Sequence, residues 1–288
     1  MKKLIYAIVA MLAMAGCYKD NHEFQDGYGA LSLGLQWDNP KDAGTVPHVL
    51  TVSIQGDGAS FTKRFANPEQ LASEPIMLPA GEYDILVTAD MAEADGFVVE
   101  GLPASKAGSG LGEVAVSLAD PSSSPSQAWF SVNHAAIKEG EVTPVEPKLQ
   151  RLLASLDLKI ANVPSATSIK KTLLSITKTV ILTEKGQDGR YGAPQSKPSE
   201  SVSLKDGITN MLPSAAGVER NDILMLIKTA DGKELLVTLD VPRIDVGKTY
   251  TLNLDFNTLQ PYMFIDSGSI SPWEDGWTVN GEILNPED

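Results

Sequence analysis

The sequence predicts an all-β protein built from antiparallel β-sandwiches, and three observations support this class. Many short segments alternate apolar and polar residues, which is the pattern of half-buried strands. The chain contains 24 glycines and 18 prolines, many of them between these segments, where they are typical of turns. Helical periodicity is scarce, and strands without helices between them favour antiparallel sandwiches over a parallel α/β sheet.

Residues 1–16 have the layout of a signal peptide. Lys2 and Lys3 precede an apolar run over residues 4–15, and small residues close the segment. The run is shorter than the roughly 20 apolar residues that a membrane-spanning helix needs. We therefore expect the segment to be removed rather than kept as a membrane helix.

The segment 14–17, Met-Ala-Gly-Cys, resembles a bacterial lipobox. The resemblance implies cleavage between Gly16 and Cys17, and acylation of Cys17, which is the only cysteine of the chain. Diacylglycerol with an amide-linked chain buries far more methylene groups than one myristoyl chain, at about 0.8 kcal/mol each. Such an anchor would hold the protein on the outer membrane. The alternative is an ordinary signal peptide followed by a free thiol.

A short polar tether is predicted over residues 17–28. Its charged part, residues 18–23, is similar to the signals that send Bacteroidetes lipoproteins to the cell surface. A plain solvated linker is the alternative.

The first predicted sandwich covers residues 29–145. It opens with residues 30–37, in which Leu31, Leu33 and Trp37 share the apolar face of one continuous strand. A short helical turn is possible at residues 68–72. The further strands of this domain are predicted at or around residues 48–54, 61–65, 84–89, 98, 114–118 and 129–132.

A connector that contains Pro144 and Pro147 marks the start of the second predicted sandwich, residues 146–288. A short turn or helix is possible at residues 147–154. The clearest local signal is a hairpin over residues 223–237, with two apolar runs around an Asp-Gly turn. The other strands of this domain are predicted at residues 156–160, 172–183 and 250–256.

Composition restricts the function. Without residues 1–16 the chain has 21 basic and 37 acidic residues, a formal charge of −16, so nucleic acid is a poor partner. A single cysteine allows no internal disulfide.

The sequence offers no catalytic or metal-binding pattern, so we expect a protein that is not an enzyme and has no cofactor and no metal. Residues 22, 48 and 134 are the histidines, and they lack the paired spacing of metal ligands. Asp90, Glu93 and Asp95 share a loop, but they lack the alternate spacing of a calcium site.

Trp273 and Trp277 flank a turn near the end of the chain and form a possible exposed aromatic site. Packing at the end of the chain is the alternative.

Several segments together resemble the Bacteroidales fimbrillin-like lipoproteins, in particular the FimB/Mfa2-type fimbrial anchors and minor subunits. The similarity covers nearly the whole mature chain, although each motif is short. The segments that carry it are the lipobox, Trp-Asp-x-Pro at 37–40, Leu-Pro-Ala-Gly-Glu-Tyr at 78–83, residues 149–158, Met-Leu-Pro at 211–213, and residues 270–273 and 281–283.

The resemblance implies two transthyretin-like β-sandwiches in series and assembly with fimbrial subunits by β-strand addition. Stalk subunits of the family are cut after an arginine that follows the first strand, but here no arginine lies between Cys17 and Lys63. A cut at Lys41 is not excluded. A chain that keeps its first strand would act as a surface-exposed anchor or terminal subunit, and residues 262–288 are the predicted exchange element. The alternative function is a glycan-binding surface lipoprotein of a polysaccharide uptake system.

Overall fold

The computed structural model describes residues 24–103, 110–197, 199–264 and 278–280. Regular structure in these residues is almost entirely β-strand, so the predicted all-β class is confirmed. No helix in the same ranges is long and apolar enough to cross a bilayer. The helical elements are α1 (Pro68–Ser73), which the sequence predicted, and 3-10 turns at Pro40–Asp42, Glu93–Asp95 and Phe256–Thr258.

Eleven strands lie among the described residues up to Arg151. In chain order they are β1 (Tyr28–Leu33), β2 (Gln36–Trp37), β3 (Leu50–Gly56), β4 (Ser60–Phe65), β5 (Ile76–Pro79), β6 (Gly81–Ala89), β7 (Phe97–Glu100), β8 (Ala115–Leu118), β9 (Trp129–Ile137), β10 (Val142–Val145) and β11 (Lys148–Arg151).

Another eleven strands follow among the described residues. They are β12 (Ala154–Ala161), β13 (Ser168–Thr177), β14 (Thr179–Lys185), β15 (Tyr191–Pro194), β16 (Ser199–Leu204), β17 (Gly207–Met211), β18 (Arg220–Lys228), β19 (Glu234–Pro242), β20 (Thr249–Asp255), β21 (Tyr262–Phe264) and β22 (Thr278–Asn280).

The first sandwich consists of two facing sheets. A small sheet has the order β10-β1-β5, and a larger one has the order β2-β11-β9-β6-β3-β4. On β6, the alternate residues Tyr83, Ile85 and Val87 lie on one face. They pack in one core with Leu31 and Leu78 of the small sheet. The apolar phase of each strand therefore decides which face meets the other sheet.

The predicted continuous strand over residues 30–37 is divided between the two sheets. β1 lies in the small sheet and β2 in the larger one, and the exposed Gly34 lies between them. The chain changes sheets in the same way between β10 and β11. β10 pairs in parallel with β1 in the small sheet, and β11 pairs in parallel with β2 in the larger sheet. The chain keeps its hydrogen bonds across the change, because Gly34 N–H donates to Val145 O (3.0 Å) and Gln36 N–H donates to Pro147 O (2.9 Å).

A third sheet, here called the bridging sheet, has the order β15-β14-β8-β7. It covers the second face of the larger sheet, where Leu86 and Phe130 are fully buried in one core with Val116 of β8 and Val180 of β14. Strand pairing therefore crosses the predicted boundary between residues 145 and 146, and β11, just after that boundary, pairs with β9 and β2. The boundary itself stays a prediction.

The second sandwich also has two sheets, with the orders β17-β12-β20-β22 and β16-β13-β18-β19-β21. Leu156 and Leu252 of the first sheet share a core with Met225 and Leu239 of the second. The predicted hairpin is confirmed as β18 and β19, which pair along their whole length. Its turn contains Gly232 at φ +81°, a conformation that glycine adopts without steric cost.

Three predictions about local structure differ from what is observed. Residues 147–154 form no helix, because their backbone pairs as β11 and the start of β12. The apolar run 172–183 is two strands rather than one, with a bulge at Ser175 (φ +63°) and a break at Lys178. The sheets are mixed rather than purely antiparallel, since five strand pairs of the described chain are parallel.

Two tyrosines fasten corresponding turns of the two sandwiches. Tyr83 and Tyr250 are almost completely buried, and each follows a Pro/Gly-containing turn. Tyr83 Oη donates to Pro79 O at 2.9 Å, and Tyr250 Oη accepts from Asp245 N–H at 2.7 Å. Burial raises the pKa of both phenols, so each remains protonated in ordinary buffers.

Candidate assembly surfaces

β1 is the central strand of the small sheet. β1 pairs in parallel with β10 and antiparallel with β5, so its backbone is bonded on both edges. Leu31 and Leu33 fill the core below. A Cβ on Gly29 would lie 2.1 Å from Lys138 O, so only glycine fits at that point. Removal of β1 would leave two unpaired strand edges above an apolar groove.

Short strands near the end of the chain close one edge of each sheet of the second sandwich. β21 pairs in parallel with β19, and β22 pairs in parallel with β20, through three residue pairs each. Both belong to the predicted exchange element, residues 262–288, of which the structure describes only 262–264 and 278–280. Whether this segment is exchanged stays a prediction.

An exposed apolar group lies beside β21. β21 covers only residues 238–240 of β19, so residues 234–237 have no neighbour on that edge within the described chain. Leu236 is 56% exposed and Tyr262 is 47% exposed. Apolar side chains beside an open strand edge are typical of a site for strand addition.

The predicted lipidation and aromatic sites lie outside the described residues. These positions are Gly16, Cys17, Trp273 and Trp277, and the same holds for His22.

The tryptophans within the described ranges serve packing. Trp37 and Trp129 make an edge-to-face contact, with ring centroids 5.3 Å apart and planes at 74°. Trp129 Nε1–H also donates to Asp42 Oδ2 at 3.2 Å, and Asp42 is buried. Their indole rings are therefore committed to the first sandwich.

The acidic loop after β6 uses its carboxylates to hold its own backbone. Asp90 Oδ1 accepts the amide protons of His48 (2.7 Å) and Val49 (3.1 Å), and Asp95 Oδ2 accepts that of Ala92 (3.0 Å). Within the described ranges, no group of three or more His, Cys, Asp or Glu residues could hold a metal ion. These carboxylates organise turns.

His134 lies between two carboxylates at the end of the larger sheet. Its Nδ1 is 3.0 Å from Asp84 Oδ1, and its Nε2 is 2.9 Å from Glu82 Oε2. The hydrogen bond to Asp84 raises the pKa of His134; burial opposes this effect, and the hydrogen bond to Glu82 adds to it. Asp84 Oδ2 also accepts Leu111 N–H at 3.1 Å, which ties the loop before β8 to this sheet.

A cleft of about 950 Å³ opens where five segments meet, and the sequence alone did not indicate it. The segments are the end of β2, the end of β11, the β14–β15 loop with β15, the β17–β18 loop and the β19–β20 loop. An Arg190–Asp38 ion pair joins the β14–β15 loop to the end of β2, and Gln150 Nε2–H donates to Tyr191 O at 2.9 Å. Its lining residues lie between positions 38 and 248, so no local motif could have identified them.

Comparisons with known proteins identify the fold. No family model and no curated protein sequence matches the chain. Among solved structures, it resembles a candidate adhesin from Bacteroides ovatus with a TM-score of 0.53 and 12% identity, over 91% of this chain and 96% of that one. It also resembles a candidate polysaccharide-binding protein from Bacteroides thetaiotaomicron, with a TM-score of 0.52 and 13% identity, over 74% and 80% of the two chains.

The fimbrial anchor protein Mfa2 from Porphyromonas gingivalis is a more distant structural neighbour. Its TM-score is 0.46 at 13% identity, over 76% of this chain and 82% of that one. The structural neighbours thus include adhesin candidates and a fimbrial protein of Bacteroidales, as the resemblance in the sequence led us to expect, all at low identity.

Proposed function

We propose that this chain is a cell-surface anchor or minor subunit of a fimbria, and that it joins pilin subunits by strand exchange without catalysis. The observation that carries the proposal is the pair of short terminal strands, β21 and β22. Each closes a sheet edge through three residue pairs. Because one backbone hydrogen bond contributes only about 1 kcal/mol net, a pilin strand with a longer pairing could replace either of them.

The fold likeness to the B. ovatus adhesin candidate supports this role, since it extends over 91% of the chain. The sequence resemblance to fimbrial anchors supports it independently.

Retention of β1 favours an anchor or terminal subunit over a stalk subunit. Arg64, the first arginine after residue 17, lies on β4, and β2 and β3 separate it from β1. An arginine-directed cut just after β1 is therefore not available. A lysine-directed cut at the exposed Lys41 would be the remaining route.

A pulldown is the direct test of strand exchange. The recombinant chain from residue 17 onwards should capture pilin subunits from the producing bacterium, and a chain that ends at residue 261 should capture at least about tenfold less. Ile208→Asp is the matched control, because Ile208 is exposed on β17, the edge opposite β22 in its sheet. Equal capture by the full and shortened chains would contradict exchange through this segment.

Anchoring through Cys17 requires a separate test. Cys17→Ala should release the protein, together with any fimbria it holds, from the outer-membrane fraction into the medium. Cys17→Ser gives the same prediction with a smaller change in side-chain volume. A variant that stays in the membrane pellet would show that the lipid is not the anchor.

Glycan binding is the second candidate function. The likeness to the B. thetaiotaomicron polysaccharide-binding candidate favours it, and Trp273 and Trp277 are the candidate residues for it in the sequence. On a glycan array, saturable binding that is lost in Trp273→Ala or Trp277→Ala would support this function. Binding that is unchanged in both variants would remove these tryptophans from it.

A further inference from the structure

We infer that the cleft between β2, the β14–β15 loop and the β19–β20 loop binds an acidic oligosaccharide. Its volume of about 950 Å³ lies at the upper end of the range for small-molecule sites. The site is separate from the sheet edges proposed for pilin contact, so this inference does not depend on strand exchange.

The charge of the cleft is opposite to that of the whole chain. Five cationic and three acidic side chains line it, whereas the chain has 23 basic and 37 acidic residues. Three of the cations are arginines with aspartate partners. Lys185 and Lys248 have no ion-pair partner among the described residues, and Asp188 also lines the cleft without a cationic partner there. The cleft and its ion-pair partners therefore have a surplus of one positive charge, which would attract a carboxylate.

The remaining lining suits sugar hydroxyl groups. Asn39 and Gln187 offer both donors and acceptors, and the carboxylates of Asp38 and Asp188 offer acceptors. Tyr191 is half-buried and packs against the apolar core, and Lys185 Nζ lies over its ring, 5.1 Å from the centroid. A sugar carboxylate that pairs with Lys185 would thus lie close to Tyr191.

The same groups disfavour an acidic peptide. Asp38 and Asp245 are paired with arginines, so a run of carboxylates would exceed the remaining positive charge and would be repelled by the unpaired Asp188. One carboxylate on a ring rich in hydroxyl groups meets two lysines and few repulsive contacts. The cleft is therefore complementary to a sparsely charged saccharide.

Binding should be measured by calorimetry on the chain from residue 17 onwards, with a hyaluronan tetrasaccharide and sialyllactose as probes. We expect saturable binding of at least one probe and at least about tenfold weaker binding of its carboxyl methyl ester. Lys185→Glu with Lys248→Glu should reduce affinity at least about tenfold. Lys170→Glu with Lys205→Glu, which changes the net charge equally at exposed positions outside the cleft, should leave it unchanged.

Several results would overturn the inference. They are no saturable binding of any probe, equal binding of the acid and its methyl ester, or equal losses in the two double variants. Tighter binding of a glutamate-rich peptide than of every saccharide would assign the cleft to peptides instead. The melting temperatures of both double variants are measured as a control. Values near that of the wild type show that a loss of binding is not caused by a loss of folding.

Discussion

The imidazole of His134 joins two carboxylates that like-charge repulsion would otherwise separate. Asp84 and Glu82 both hydrogen-bond to the ring and raise the pKa of His134. Because the pKa in the folded protein exceeds the value of about 6.5 expected in the unfolded chain, the protonated ring stabilises the fold. This contribution is fully present below about pH 6.5 and is lost as the pH rises through the pKa of the folded state.

We therefore predict a pH-dependent effect of His134→Gln. The loss in free energy of unfolding, measured by urea denaturation against wild type, should be larger at pH 6.0 than at pH 8.5. His48→Gln is the control, because the His48 side chain is 91% exposed. A loss that is the same at both pH values would show that His134 contributes by packing alone.

Two aspartate–arginine pairs near the cleft differ sharply in burial. The Asp42 side chain is 5% exposed and binds Arg151 through Nε at 2.8 Å, whereas the side chains of Asp38 and Arg190 are 42% and 45% exposed. Removal of one partner of a buried pair leaves the other charge uncompensated, while an exposed charge is solvated by water.

Asp42→Ala should therefore lower the free energy of unfolding by about 3–5 kcal/mol, because Arg151 is left largely buried without its carboxylate. Asp38→Ala should lower it by only about 0–1 kcal/mol. Guanidinium denaturation of both variants checks the prediction. Equal effects would mean that water reaches Arg151 as easily as Arg190.

At the level of the element, the fit of β1 depends on one glycine. Gly29 lies so close to Lys138 O that a methyl group would overlap it, whereas a Cβ on Gly34 would meet nothing nearer than 4.0 Å. Both positions lie in the same segment of the chain, and neither has a positive φ.

Gly29→Ala should thus destabilise the protein by about 1–3 kcal/mol through overpacking, and Gly34→Ala should change stability by less than about 0.5 kcal/mol. Hydrogen exchange should also be faster at the amides of Ala30 and Leu31 in Gly29→Ala than in wild type. Unchanged exchange there, with unchanged stability, would show that the small sheet shifts to accommodate the methyl group.

Sequence periodicity predicted strands well where one strand contacts one core. The β18–β19 hairpin belongs to this class, since the buried alternate residues of both strands enter one core. Residues 147–154 mislead because Leu149 enters the core of the first sandwich while Leu152 and Leu153 enter the second. Because the three leucines enter two different cores, their spacing along the chain resembles that of one apolar helix face.

For the whole molecule, the bridging sheet makes the two sandwiches depend on each other. Without β14 and β15, the face of the larger sheet that carries Leu86 and Phe130 would lose part of its cover. We therefore expect the chain to unfold as one cooperative unit despite its two sandwiches.

Two measurements test this coupling. Calorimetry of the chain from residue 17 onwards should show one transition, with equal calorimetric and van't Hoff enthalpies. The isolated fragment 29–145 should lack a cooperative thermal transition by circular dichroism. Two resolved transitions, or a fragment that melts cooperatively, would show that each sandwich folds alone.

The sequence by itself determined the strand content, the main turns and the hairpin, because these depend on alternation and on glycine and proline between neighbouring residues. It also contains the basis for the proposed lipid anchor, which stays a prediction. The tertiary structure alone decided that β1 and β2 lie in different sheets, that β8 pairs with β14, and that distant charges from residues 38 to 248 line one cleft. Which distant strands pair depends on which faces are buried together. Local periodicity shows that a strand has a buried face, but it does not show which other strand or sheet covers that face.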